Sequence, residues 1–142
     1  MKKLLEYFGY AFILIGILGF IPALTPDGFL LGLFMVNWVH NLVHIISGVA
    51  AVYFAKQSDQ QAATFAYVFA AVYALVVLLG FTTGTFLGLM GLNTADNWLH
   101  VVFTAIFAYI GYSLQPRVDV TTSYESAATV ENGSVTDDSD GA

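Results

Sequence analysis

Two stretches of this chain decide its fold: Leu31–His44 reads LGLFMVNWVHNLVH, and Leu87–His100 reads LGLMGLNTADNWLH. The second stretch lies 56 positions after the first, and the same residues stand at corresponding places in both: Leu31 and Leu87, Gly32 and Gly88, Leu33 and Leu89, Asn37 and Asn93, Asn41 and Asn97, and His44 and His100. Because Asn and His are scarce in this chain, their coincidence at a fixed offset indicates an internal duplication.

The first stretch lies within a long run that carries no charge, and the second carries one charge, Asp96, between two such runs. The uncharged runs are 7–26, 28–55, 60–95 and 97–116, and a transmembrane helix needs about 20 mainly apolar residues. Helices are expected because lipid offers no hydrogen bonds, so each segment must satisfy its own backbone. We therefore predict an all-α polytopic membrane protein with four transmembrane helices, at about Leu5–Leu24, Asn37–Ala55, Ala63–Phe81 and Ala95–Leu114.

The composition excludes several classes of protein. The chain is 58% hydrophobic and 10% charged, with a mean hydropathy of +0.74, whereas soluble domains are about 45–50% apolar and about 25% charged. These values exclude an ordinary soluble globular protein. Four basic against ten acidic residues argue against nucleic acid as a partner, since phosphates need basic groups. No cysteine is present, so disulfides and thiolate metal sites are excluded. No hydrolase or phosphotransferase motif is visible, and we predict a protein that is not an enzyme.

The four helices group into two copies of one helix hairpin. Repeat one covers about 5–55 and repeat two about 63–114, inside a transmembrane domain of residues 1–117. Each copy has two spans, so the copies run in the same orientation around a pseudo-twofold axis along the membrane normal. The apolar connections Phe29–Val36 and Thr82–Leu92 are too short to span and are predicted as interfacial or re-entrant pieces.

The basic residues predict the orientation. With four spans, the basic residues Lys2, Lys3, Lys56 and Arg117 all fall on one side. Cytoplasmic loops carry the excess of Lys and Arg, so both termini should be cytoplasmic and the protein should lie in the inner membrane. Residues 118–142 hold six acidic residues and no basic ones, which is typical of a disordered acidic cytoplasmic tail.

Polar residues recur on one face of the second and fourth helices, at i, i+3, i+4 and i+7 spacing. The first copy contributes Asn37, His40, Asn41 and His44, and the second contributes Asn93, Asp96, Asn97 and His100. Such groups usually face a bundle interior rather than lipid. We therefore predict that these eight residues form one buried polar cluster near the outer membrane face.

Three interpretations of the polar cluster stay open. In the first, its side chains hydrogen-bond between helices, and the protein is structural or associates with itself or with a membrane partner. In the second, His40, His44, Asp96 and His100 hold a divalent metal, or His44 and His100 ligate a haem, with a redox role. In the third, the protein is a small transporter or proton conductor, although the polar stripe fades beyond Ser47 and Thr104.

The two motifs resemble an uncharacterised prokaryotic four-helix integral membrane family, a domain of unknown function with the number forty-three eighty-three. Its patterns are G-x-F-x-V-N-x-x-H-N-L-V-H and N-x-x-D-N-x-L-H, and every polar position of the polar cluster is matched here. The likeness covers about Tyr7–Leu114. It implies a bacterial or archaeal four-helix membrane protein, and it brings no activity, cofactor or catalytic residue.

Overall fold

The computed structural model describes residues 1–115, so the acidic segment 118–142 and the boundary at 117 lie outside the described residues. The chain is mostly helical, with α1 at Lys2–Leu18, α2 at Trp38–Ala55, α3 at Asp59–Thr83 and α4 at Thr94–Leu114. Of these, α2, α3 and α4 are long and apolar enough to cross a membrane.

The ends of the helices follow local chemistry. Helix α1 ends at Leu18, short of the predicted Leu24, because the residue before Pro22 is extended, as prolines require of the residue that precedes them. Helix α3 begins at Asp59 instead of Ala63, since Ser58 and Gln61 form a capping box there. The helices α2 and α4 begin directly after the predicted polar residues Asn37 and Asn93.

Each helix pair is joined by a short antiparallel β hairpin that the sequence analysis did not predict. Strand β1 (Phe29–Leu30) pairs with β2 (Phe34–Met35), and β3 (Thr85–Phe86) pairs with β4 (Met90–Gly91). The two turns contain consecutive residues with positive φ, at Leu31 and Gly32 (54° and 71°) and at Leu87 and Gly88 (52° and 72°). Two left-handed residues in a row make the turn that suits the twist of a hairpin.

The closest packing lies within each helix hairpin. Helix α1 packs chiefly on α2, and α3 packs chiefly on α4. Gly9 and Gly48 let the first pair approach closely, because a Cβ atom on Gly48 would lie 2.5 Å from the Gly9 carbonyl oxygen. Between the pairs, a core that includes the fully buried Phe12 and Phe107 fills the middle of the bundle.

The two ends of the bundle differ in charge. At the amino-terminal end, Lys2 Nζ lies 2.7 Å from Asp59 Oδ1 and 3.1 Å from the Gln57 carbonyl oxygen. Lys56 Nζ lies 3.7 Å from Glu6 Oε1 at the same end. The start of α1 and the α2–α3 connection are therefore neighbours, while both β hairpins lie at the opposite end, which we call the β-hairpin end.

Candidate functional site

The structure brings the polar cluster together at the β-hairpin end of the bundle. Six of its eight members are buried: His40, Asn41, His44, Asp96, Asn97 and His100. Asn37 is exposed and Asn93 is half-buried, because each is the N-cap of its helix. The Asn37 side chain accepts a hydrogen bond from the His40 backbone N–H at 2.8 Å, and Asn93 accepts one from the Asp96 N–H at 2.9 Å.

The two capping asparagines also connect the halves of the chain. Asn37 Nδ2 donates to the carbonyl oxygen of Leu89, in the second β hairpin, at 2.9 Å. In the reciprocal contact, Asn93 Nδ2 donates to the carbonyl oxygen of Leu33, in the first β hairpin, at 2.6 Å. Each asparagine therefore uses its oxygen within its own half and its amide nitrogen on the other half.

Asp96 completes this connection. Its Oδ2 accepts hydrogen bonds from the backbone N–H of Met35 at 3.1 Å and from that of Asn93 at 3.0 Å. His40 binds the carbonyl group of the same residue, with Nδ1 at 3.0 Å from the Met35 carbonyl oxygen. Since a carbonyl oxygen only accepts, His40 Nδ1 carries the proton.

The three histidine rings lie side by side. The His40 ring stacks on His44 with centroids 4.9 Å apart, and its centroid is 6.2 Å from that of His100. His44 also meets the edge of Phe12 at 5.5 Å, and His100 lies 5.2 Å from Tyr73. The Nδ1 atoms of His44 and His100 are buried and have no hydrogen-bond partner among the described residues.

The remaining two members of the polar cluster pack within their own hairpins. Asn41 covers Gly19 at the end of α1, and Asn97 covers Gly80 in α3, so closely that a Cβ atom at either glycine would overlap the asparagine Oδ1. Asn97 Oδ1 is also buried without a hydrogen-bond partner in residues 1–115. These contacts place the asparagines against the glycines rather than at the centre of the bundle.

Two cavities flank the histidines, and His40, His44 and His100 line both. The smaller cavity, of about 100 Å³, lies between α2 and α3 against the second β hairpin. The larger, of about 180 Å³, lies between α1 and α4 against the first β hairpin. Apart from the histidines and Asp96, the larger cavity is lined by apolar side chains: Ile15, Leu18, Leu30, Leu31, Phe34, Leu99 and Phe103.

The spacing and the hydrogen bonds of the side chains bear on whether the polar cluster can bind a metal. No three His, Asp or Glu side chains of the described residues are grouped as metal ligands are. Asp96, one of the four predicted ligands, already serves two backbone donors. The metal and haem interpretations of His40, His44, Asp96 and His100 stay predictions.

Sequence reasoning missed the partners that the β hairpins supply. The backbone groups of Leu33, Met35 and Leu89 all bind members of the polar cluster. The repeated Leu-Gly-Leu at 31–33 and 87–89 was a signal for these segments, but it did not reveal that they fold as hairpins.

The comparisons with known proteins place the chain in a family. Residues 3–113 match the family described as "Domain of unknown function (DUF4383)", and the chain belongs to it. Comparison with curated proteins and with solved structures gave no match. The family description agrees with the resemblance found in the sequence and assigns no activity to the polar cluster.

Proposed function

We propose that this member of the DUF4383 family is a four-span integral membrane protein, built from two copies of one helix hairpin, whose polar cluster fastens the copies together at the outer membrane face. It is not an enzyme in this proposal; it is a structural or interaction protein of the inner membrane. The observation that carries the proposal is the reciprocal pair of hydrogen bonds from Asn37 to Leu89 and from Asn93 to Leu33.

The fourth span is α1. It has 17 residues, which is the low end of the range of about 17–25 that crosses a bilayer. Its exposed side chains are mainly large and apolar, among them Leu14 and Ile17. Since its partner α2 is long and apolar enough to span and packs along it, α1 shares the same depth in the membrane.

The duplication is supported by backbone geometry that recurs at the 56-residue offset. The Val36 N–H donates to the Gly28 carbonyl oxygen at 2.9 Å, and the Leu92 N–H donates to the Gly84 carbonyl oxygen at 2.9 Å. The pairs Phe29–Met35 and Thr85–Gly91 occupy the same register in their hairpins. Two parallel copies with two spans each bring α2 and α4 to equivalent positions.

The orientation follows from the lysines. Lys2, Lys3 and Lys56 belong to the end that holds the amino terminus and the α2–α3 connection, and the β-hairpin end carries the acidic Asp27 and Asp96. Basic residues favour the cytoplasmic side. The amino terminus and the α2–α3 connection would then be cytoplasmic, and the β hairpins would lie outside.

Single cysteines test this arrangement, because the chain has none of its own. Lys3→Cys and Ser58→Cys should react with a membrane-impermeant maleimide in inverted vesicles and not in intact spheroplasts. Ala23→Cys, in the connection after α1, and Thr82→Cys, in the last turn of α3, change exposed residues and should show the opposite pattern. Labelling of Lys3→Cys in intact spheroplasts together with Ala23→Cys would contradict a spanning α1.

A further inference from the structure

The turns of the two β hairpins expose four leucines. Leu31 and Leu87 are 70% and 67% exposed, and Leu33 and Leu89 are also more than half exposed. We call these four residues the turn leucines. Neither hairpin contains a charged residue, so each turn presents an apolar surface. The fastening role of the polar cluster does not explain this surface, because that role uses the backbone carbonyl groups of Leu33 and Leu89 and not their side chains.

The backbone conformation does not account for leucine at the turns. Leu31 and Leu87 have φ values of 54° and 52°, in the left-handed region that glycine, asparagine and aspartate tolerate better than other residues. Asp27 has a φ of 52°, and a glycine of positive φ follows it, as at both turns. The chain therefore has a usual polar residue at 27 and leucine at the two hairpin turns, which indicates that the surroundings of the turns favour an apolar side chain.

The backbone N–H groups of the first turn have partners within the protein. Those of Leu31, Gly32 and Leu33 donate to backbone carbonyl oxygens of the same connection at 2.8, 3.0 and 3.1 Å. The carbonyl oxygens of Leu33 and Leu89 accept from asparagine side chains of the other half. Lipid offers no hydrogen bonds, so a backbone that enters it must find its partners in the protein. These groups meet that requirement.

The two turns lie beside membrane helices, on different sides of the bundle. Leu31 lines the larger cavity together with residues of α1 and α4. Phe86, directly before the second turn, lines the smaller cavity together with residues of α2 and α3. A single partner protein docked on one side would cover only one turn, whereas lipid surrounds the bundle. Lipid is therefore the partner that suits both turns.

Two tryptophans mark the level of the hairpins. Trp38 is the first residue of α2 and follows the first hairpin, and Trp98 lies near the start of α4 and follows the second. Both side chains are exposed. Tryptophan is enriched where the headgroups of a bilayer meet its hydrocarbon, so the β-hairpin end of the bundle lies at this boundary.

We propose that the turn leucines insert into the outer leaflet of the bilayer, at the boundary between headgroups and acyl chains. Each β hairpin then rests on lipid instead of standing in water, and the polar cluster lies beneath the headgroups. This inference rests on the four-span arrangement of the proposed function. It adds that lipid is the partner of the two turns.

Nitroxide labels on single cysteines test the proposal in the full-length protein, in vesicles of phosphatidylethanolamine and phosphatidylglycerol. Leu33→Cys and Leu89→Cys change turn leucines whose φ is not positive. Their labels should collide more often with molecular oxygen, which is concentrated in lipid, than with a water-soluble nickel chelate present on both sides. Asp27→Cys is the matched control in the same connection as Leu33. Its label should collide more often with the nickel chelate, because Asp27 is charged and exposed and charge avoids hydrocarbon.

A label in the middle of α2 separates this inference from the topology on which it rests. Ile46 is exposed, so the label of Ile46→Cys should collide mainly with oxygen if α2 spans the bilayer. Nickel-dominated collisions at Leu33 and Leu89, with oxygen-dominated collisions at Ile46, would overturn the inference alone. Nickel-dominated collisions at Ile46 as well would also overturn the four-span proposal. Rare collisions with both reagents at Leu33 or Leu89 would mean that protein covers the turns, and this result too would overturn the inference.

A pair of variants without labels provides an independent measurement. Leu89→Ala removes most of the side chain, and Leu89→Asp adds a charge at the same position. A charge is costly against lipid, whereas an exposed position in water tolerates most substitutions. The midpoint of thermal unfolding in the same vesicles should therefore fall more in Leu89→Asp than in Leu89→Ala. Equal midpoints would contradict insertion of the second turn, and this pair decides if a labelled variant fails to fold.

Discussion

The carboxylate of Asp96 serves two backbone donors that belong to different halves of the chain, Met35 and Asn93. Its counterpart in the first half is His40, which binds the Met35 carbonyl oxygen. The Met35 N–H is thus bound by Asp96 of the second half, and the Met35 C=O is bound by His40 of the first half. The difference between His40 and Asp96 makes an otherwise repeated site asymmetric at this point.

Removing the Asp96 carboxylate should therefore destabilise the fold. Asp96→Ala leaves two partly buried N–H groups without acceptors and should lower the free energy of unfolding by about 2 kcal/mol. Asp96→Asn keeps one acceptor oxygen and should cost less. The measurement is denaturant unfolding in detergent micelles, with Asp27→Asn as the control, since Asp27 is exposed. An Asp96→Ala variant as stable as the wild type would contradict the role assigned here to this residue.

At the level of single residues, helical spacing predicted burial for all eight members of the polar cluster, of which six are buried, and it did not predict their hydrogen-bond partners. Helical spacing alone placed His40, His44 and His100 on inward faces, and all three are buried. Spacing could not show that Asp96 binds the backbone at Met35, because that contact depends on a β hairpin. The interpretation of Asp96 as a metal ligand takes no account of this competing backbone partner.

Among the elements, the two β hairpins are the ones whose turn sequence departs from the usual pattern. Each turn puts a leucine and a glycine in the left-handed region, although Asn-Gly is the usual sequence for such turns. This explains why the hairpins escaped prediction while the helices did not. The uncharged runs and the N-cap residues indicate helices strongly, but a Leu-Gly turn lacks the asparagine that usually indicates a hairpin turn.

The glycine of the second turn offers a clean test of the hairpin. Gly88 has a φ of 72°, and a Cβ atom there would meet nothing within 4 Å. Gly88→Ala should therefore cost only the backbone strain of a left-handed alanine, about 1 kcal/mol in the free energy of unfolding. Gly88→Asn should cost less, because asparagine tolerates this conformation.

The same measurement on the first hairpin provides the control. Gly32 has the same surroundings and a φ of 71°, so Gly32→Ala should cause a similar loss. No loss in either alanine variant would mean that these turns do not adopt the left-handed pair in the folded protein.

On the scale of the whole molecule, the bundle consists of two tightly packed hairpins joined at two levels. Aromatic residues around Phe12 and Phe107 fill the middle, and the polar cluster connects the β-hairpin end. The offset of 56 residues predicts two copies of one helix hairpin, which stays a prediction, and it does not reveal the cavities beside the histidines. Ser47 lines the smaller cavity, and Phe103, which stands 56 positions later in the chain, lines the larger.

This construction predicts that the protein can be divided between its hairpins. Fragments 1–57 and 58–142, expressed together, should assemble in the membrane and copurify in mild detergent, because the closest packing lies within each fragment. Between the fragments, the aromatic core and the hydrogen bonds of Asn37 and Asn93 remain available. Copurification of one tagged fragment with its untagged partner measures the association.

The asparagines supply the matched variants for the divided protein. Asn37→Ala and Asn93→Ala together remove both reciprocal hydrogen bonds and two helix caps, which cost about 1 kcal/mol each. Recovery of the partner should fall more in this pair than with Thr104→Val, whose hydroxyl donates to the His100 carbonyl oxygen within α4. If the fragments copurify equally well with and without the two asparagines, the aromatic core alone holds the hairpins together and the fastening role of the polar cluster is wrong.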